Sequence, residues 1–184
     1  MPMTTANKLT LLRVFLIPVF LVIAYLDFPG HRYVALAVFI VASHTDTLDG
    51  YIARHYNQIS DFGKFADPLA DKCLVIAALC WFVETGEMFG WILAIVLLRE
   101  FAVSGMRLVA VEQGRVIAAA WSGKVKTGVT MVCLGLMLLI RAPQPGDSAP
   151  DLVAQLSTLV ILITTVYSGV EYFVKNIDVF RHAD

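Results

Sequence analysis

Long apolar runs dominate the chain and are broken by short polar punctuation. Six of them approach or exceed the roughly 20 residues a helix needs to cross a bilayer: residues 10–26, 33–56, 62–83, 88–112, 118–141 and 152–175. The breaks carry turn-forming residues, as in Asp27-Phe28-Pro29-Gly30, Glu84-Thr85-Gly86-Glu87 and Arg141-Ala142-Pro143-Gln144-Pro145-Gly146. No strand-like alternation is sustained, and neither an internal repeat nor a low-complexity tract stands out. The pattern predicts an all-α integral membrane protein with six transmembrane helices, forming one domain over residues 1–184.

Composition agrees with this reading. Hydrophobic residues make up 58% of the 184 and charged residues only 16%, against about 25% charged in a soluble domain. The mean hydropathy of +0.73 is too apolar for one soluble core of this size. A disordered chain is excluded, and the net charge of −1 excludes a nucleic-acid binder that relies on bulk positive charge. Cys73, Cys80 and Cys133 all fall inside predicted spans, so they read as buried small apolar residues rather than a disulfide framework. Lys8 and Arg13 ahead of an apolar stretch also fit a signal peptide, but no small-x-small cleavage site follows Leu26. A retained first helix with a bend at Pro18 is the better reading.

The charges are strongly polarised. Six spans put both termini on one side, together with Lys8, Arg13, Arg54, Lys64, Lys72, Arg107, Arg115, Lys124, Lys126, Lys175 and Arg181. The opposite loops hold only Arg32 and Arg141, alongside Asp27, Glu84, Glu87, Asp147 and Asp151. Eleven cations against two, with Arg99 inside a span, make the termini cytoplasmic.

Spans two and three depart from the apolar pattern. Asp46 and Asp49 interrupt one, and Asp67, Asp71 and Lys72 interrupt the other, and neither span reaches across without its charged part. At helical rise, Asp46 lies about 20 Å from Tyr33, and Asp71 about 18 Å from Val83. In a hydrocarbon core of about 30 Å, both sets then sit roughly 10 Å below the cytoplasmic boundary. Asp46 and Asp49 are i,i+3 and share a helix face that Gly50 and Ala53 continue, while Asp67 and Asp71 are i,i+4 with Gly63 one turn earlier. Small residues beside each acidic face let helices, or a bulky ligand, approach the backbone.

Four carboxylates at one depth repel one another in a medium of low dielectric. Hard divalent cations such as Mg²⁺ or Mn²⁺ resolve that repulsion. A purely structural network with Arg54, Lys64 and Lys72 is the alternative, but three cations at helix ends do not explain four acids at a shared depth. Asp61 falls off the spacing and reads as a loop or helix-start residue.

From Asp46 to Asp71 the chain reads DTLDGYIARHYNQISDFGKFADPLAD. It fits D-x2-D-G-x2-A-R-x8-G-x3-D-x3-D, with Asp46, Asp49, Gly50, Ala53, Arg54, Gly63, Asp67 and Asp71 in place. This resembles the signature of the CDP-alcohol phosphotransferase family. The resemblance extends along most of the chain, through Asn7-Lys8-Leu9-Thr10 with Arg13, Leu98-Arg99-Glu100 with Arg107, and Trp121-Ser122-Gly123-Lys124-Val125-Lys126-Thr127. It implies a six-helix membrane enzyme, usually a homodimer, in the plasma (inner) membrane of a bacterium, with its active site facing the cytoplasm. The family reaction moves a phosphatidyl group from CDP-diacylglycerol to an alcohol and releases CMP. This chain looks most like members whose acceptor is sn-glycerol 3-phosphate, with inositol phosphate, serine or phosphatidylglycerol as other family acceptors.

By the same resemblance, Asp46, Asp49, Asp67 and Asp71 would bind two Mg²⁺ or Mn²⁺ ions, with Asp71 a ligand, the catalytic general base, or both. Gly50, Ala53, Arg54 and Gly63 would accommodate the nucleotide of the CDP-lipid. A dianionic acceptor needs cations of its own, and Arg107, Lys124 and Lys126 stand near the cytoplasmic ends of spans four and five. Lys124 and Lys126 are not expected to share a face, nor are adjacent Arg99 and Glu100 expected to meet. Those two mid-span charges fit a buried polar network or a substrate contact equally, and Arg13 would reach headgroups or the site. Asp67-Pro68 resembles an N-cap with Pro at the first helical position, but a longer third helix gives Asp67 and Asp71 a rigid frame. A cation transporter is the rival from another class, although its acids should line a route across the membrane rather than cluster at one depth.

Overall fold

A computed structural model describes the backbone of residues 5–26, 28–55, 61–118, 120–140 and 152–181, and the side chains of these residues except 5–10, 46–55, 61–68, 71, 180 and 181. Six long helices form: α1 (Thr5–Tyr25), α2 (His31–His55), α3 (Asp61–Glu84), α4 (Gly90–Glu112), α5 (Trp121–Leu139) and α6 (Leu152–Lys175). A one-turn α7 (Asp178–Arg181) follows, and no strand occurs among the described residues. Each expected span coincides with one long helix. Helix α1 begins earlier than its apolar run because Thr5 to Leu9 add to the helix although they are too polar to extend the run.

By length and composition, α5 and α6 can each cross a membrane. Helices α2, α3 and α4 are long enough, but all three carry charges inside the span. In α4 these are Arg99, Glu100 and Arg107. Large apolar side chains such as Leu98, Phe101, Leu108, Val170 and Val174 are exposed. A lipid environment would cover such a surface.

The chain divides into two compact units, Met1–Phe82 with Leu138–Arg141, and Val83–Met137 with Ala142–Asp184. In the first, α1 packs against α2. Buried Ala24, Ala35 and Ala42 allow close approach, and the Phe20 and Phe39 rings meet at 6.0 Å between centroids. Arg32, at the start of α2, lies over the rings of Trp81 and Phe82 at 5.1 and 5.9 Å. That contact joins the beginning of α2 to the end of α3, as antiparallel neighbours require.

In the second unit α4 packs against α6 and α7. The buried residues of α4 are Ile92, Val96, Val103, Met106 and Ala110, and Arg99 occupies the position that completes their alternating spacing of four and three. On α6, Ala154, Thr158, Ile161, Thr165, Ser168 and Tyr172 keep the same spacing. Small and hydroxylated residues on that stripe permit tight helix contact in a membrane. Helix α4 ends in a Schellman motif: Gly114 adopts φ +72°, its N–H bonds Val111 O at 2.9 Å, and Arg115 N–H bonds Ala110 O at 2.8 Å. The reversal brings Gln113 to donate to Val179 O at 3.1 Å and Arg115 to pair with Asp178 at 2.7 Å. Val179 closes the core formed by Val103, Met106, Ala110 and Tyr172.

Candidate functional site

The signature residues stand on two continuous helices. Asp46, Asp49, Gly50, Ala53 and Arg54 belong to α2, and Gly63, Asp67 and Asp71 belong to α3. At about 100° per residue, Asp46 and Asp49 are about 60° apart around α2, and Gly63, Asp67 and Asp71 follow at about 40° steps around α3. Each helix therefore carries its signature acids along one face. The side chains of these eight residues lie outside the described residues. Helix α3 begins at Asp61, not at Asp67, so Pro68 stands within the helix and does not open it.

The turn of α2 before the acids is locally self-satisfied. Ser43 donates to Phe39 O at 2.8 Å and Thr45 to Ala42 O at 2.6 Å, while His44 Nδ1 lies 3.0 Å from Ile40 O.

The cations of the second unit separate into different environments. Lys124 is exposed on α5. Lys126, two positions on, is only 4% exposed, and its Nζ lies 2.9 Å from Glu100 Oε1. The same carboxylate oxygen accepts from Arg99 Nη1 at 2.8 Å. This corrects the expectation that adjacent Arg99 and Glu100 would not meet. Their Cβ atoms diverge, but the arginine side chain is long enough to fold back along α4. The result joins α4 to α5 through one carboxylate.

Arg99 also runs close to two glycines. A Cβ at Gly169 of α6 would lie 3.1 Å from Arg99 Cγ, and one at Gly123 of α5 would lie 3.4 Å from Arg99 Nη2. Arg107 donates from Nε to the Tyr172 hydroxyl at 3.0 Å and stacks over that ring at 5.4 Å. Arg13, on α1, is fully buried. Spacing gave no sign of the Tyr172 or Glu100 partnerships, because both depend on which faces of separate helices meet. For Lys126 and Glu100 the one available signal was charge of opposite sign within spans four and five.

Between α5 and α6 lies a cavity of about 480 Å³, lined by Trp121, Ser122, Val125, Lys126, Ile163, Thr164, Tyr167 and Glu171. Glu171 pairs with Lys175 one turn along α6.

No cluster of three or more metal-binding side chains forms among the described residues. The four aspartates expected to hold a divalent ion stand on α2 and α3, with their side chains outside the described residues.

Residues 3–170 match the family model described as CDP-alcohol phosphatidyltransferase. A Bacillus subtilis protein named CDP-diacylglycerol–glycerol-3-phosphate 3-phosphatidyltransferase is 41% identical over 182 residues, covering 92% of this chain and 93% of its own. A Mycobacterium tuberculosis protein named probable phosphatidylglycerophosphate synthase is 39% identical over 173 residues, covering 92% of this chain and 80% of its own. A Haemophilus influenzae protein with the same name as the Bacillus one is 37% identical over 169 residues, with 89% and 88% covered.

Proposed function

The chain belongs to the CDP-alcohol phosphatidyltransferase family, and from that premise we propose that it transfers the phosphatidyl group of CDP-diacylglycerol to sn-glycerol 3-phosphate, giving phosphatidylglycerophosphate and CMP. The observation that carries the acceptor is the set of relatives that bear the name of this reaction at 37–41% identity. The match over residues 3–170 takes in both compact units, which supports one functional domain for the whole chain.

The acids of α2 and α3 are assigned to the pyrophosphate end of the donor. Asp46, Asp49, Asp67 and Asp71 would hold Mg²⁺ or Mn²⁺, most simply as two ions. When bound, these ions would neutralise charge on the pyrophosphate and on the departing CMP. Gly50, Ala53 and Gly63 lack bulky side chains and leave room for the nucleotide, and Arg54 supplies a cation to its phosphates. Asp71 would serve as a metal ligand, as the general base that takes the proton of the attacking glycerol hydroxyl at the oxygen forming the new bond to phosphorus, or as both. Arg107, Lys124 and Lys126 would receive the acceptor's own phosphate, whose charge must be met before it can enter an apolar protein.

Six helices would cross the membrane, with both termini and the acidic faces on the cytoplasmic side, where CMP is released to solution. The chain would work as a homodimer, as the resemblance implies. Purified protein supplied with CDP-diacylglycerol, sn-glycerol 3-phosphate and Mg²⁺ should release CMP. Absence of release with any alcohol acceptor would remove the assignment, and metal flux through liposomes in the absence of lipid substrate would point instead to transport.

A further inference from the structure

We infer that Glu100 is a positioning residue that sets the Lys126 ammonium for the acceptor's phosphate; this rests on the acceptor role proposed for Lys126. A lysine stem has four rotatable carbons, and an ammonium left to itself samples many positions. Here Lys126 is 4% exposed and its Nζ is fixed 2.9 Å from Glu100 Oε1. That oxygen is itself held, at 2.8 Å, by Arg99 Nη1.

Arg99 packs in turn closely against α6 at Gly169, where an added Cβ would stand 3.1 Å from its Cγ, and its Nη2 lies 3.4 Å from where a Cβ at Gly123 would be. Position is thus handed on from the close approach of α6 at Gly169 to Arg99, from Arg99 to Glu100, and from Glu100 to Lys126. The arrangement also answers the cost of burying an ammonium, which needs an opposite charge at hydrogen-bonding distance. Burial does not seal Lys126 away, since it lines the 480 Å³ cavity with Ser122, Thr164, Tyr167 and Glu171. A carboxylate that served only to join α4 to α5 would affect both substrates alike when altered. A positioning carboxylate affects the acceptor alone.

The test is a double-mutant cycle on the full chain in detergent, with CMP release as readout and both substrates varied. Glu100→Gln should raise KM for sn-glycerol 3-phosphate about tenfold, the size expected for a lost bond to a charged group, with KM for CDP-diacylglycerol unchanged. Lys126→Ala should raise the acceptor KM at least as much, and the double variant should match Lys126→Ala. Glu100→Asp, which keeps the charge but withdraws the oxygen, should fall between wild type and Glu100→Gln. Should Glu100→Gln fail to fold, Glu100→Asp carries the same comparison. An equal rise in both KM values, an unchanged acceptor KM, or multiplied effects in the double variant would overturn the inference. Wild-type protein that releases no CMP with this acceptor would instead overturn the proposed function itself.

Discussion

Lys124 and Lys126 are two residues apart on one helix, yet one is exposed and the other is buried against Glu100. The same contrast between position and environment runs through the polar residues. Asp71 is the position to which the proposed mechanism gives the most demanding chemistry. Asp71→Asn should lower the rate of CMP release by about 10²–10⁴-fold, the range of a lost general base, while retaining much of the binding of CDP-diacylglycerol. Wild-type turnover in that variant would exclude an essential role for Asp71. The helix positions of the acids were legible in the sequence because spacing along a single helix fixes which residues share a face. The pairings of Lys126 with Glu100 and of Arg107 with Tyr172 were not, because they join different helices and depend on rotamers that no spacing fixes. Arg99 shows the limit clearly: its neighbour in sequence became its ion-pair partner through the reach of a long side chain.

Among the elements, the six long helices were legible because apolar runs and glycine- or proline-bearing breaks constrain them directly. The one-turn α7 was not, since it is held by contacts from the reversal after α4, through Gln113, Arg115 and Val179. Helix packing in the second unit depends on small residues at chosen positions. At Gly169 an added Cβ would stand 3.1 Å from Arg99 Cγ, near the root of that side chain, where little adjustment is available. Gly169→Ala should therefore cost about 1–3 kcal/mol, as overpacking does. Gly128 of α5 has nothing within 4 Å of an added Cβ, so Gly128→Ala should be neutral or gain up to about 1 kcal/mol from helix propensity. Thermal unfolding of the two variants in the same detergent separates these outcomes, and equal midpoints would contradict the packing described for Arg99.

At the scale of the molecule, a net charge of −1 conceals a sharp division of charge. In the six-span arrangement proposed above, cations concentrate toward one side, and the four signature aspartates fall on α2 and α3. Such a concentration of acid is stable in a membrane only with compensating positive charge. Removal of divalent ions with EDTA is accordingly expected to abolish CMP release, and Mg²⁺ or Mn²⁺ to restore it; full turnover without metal would assign the aspartates another role. The central claim is the identity of the acceptor. It is tested most directly by offering purified protein CDP-diacylglycerol with sn-glycerol 3-phosphate, serine, inositol phosphate or phosphatidylglycerol in parallel, and measuring CMP together with the lipid product. Release of CMP matched by phosphatidylglycerophosphate, with sn-glycerol 3-phosphate alone among the four, is the predicted result. Turnover of serine or another acceptor without turnover of sn-glycerol 3-phosphate would contradict it.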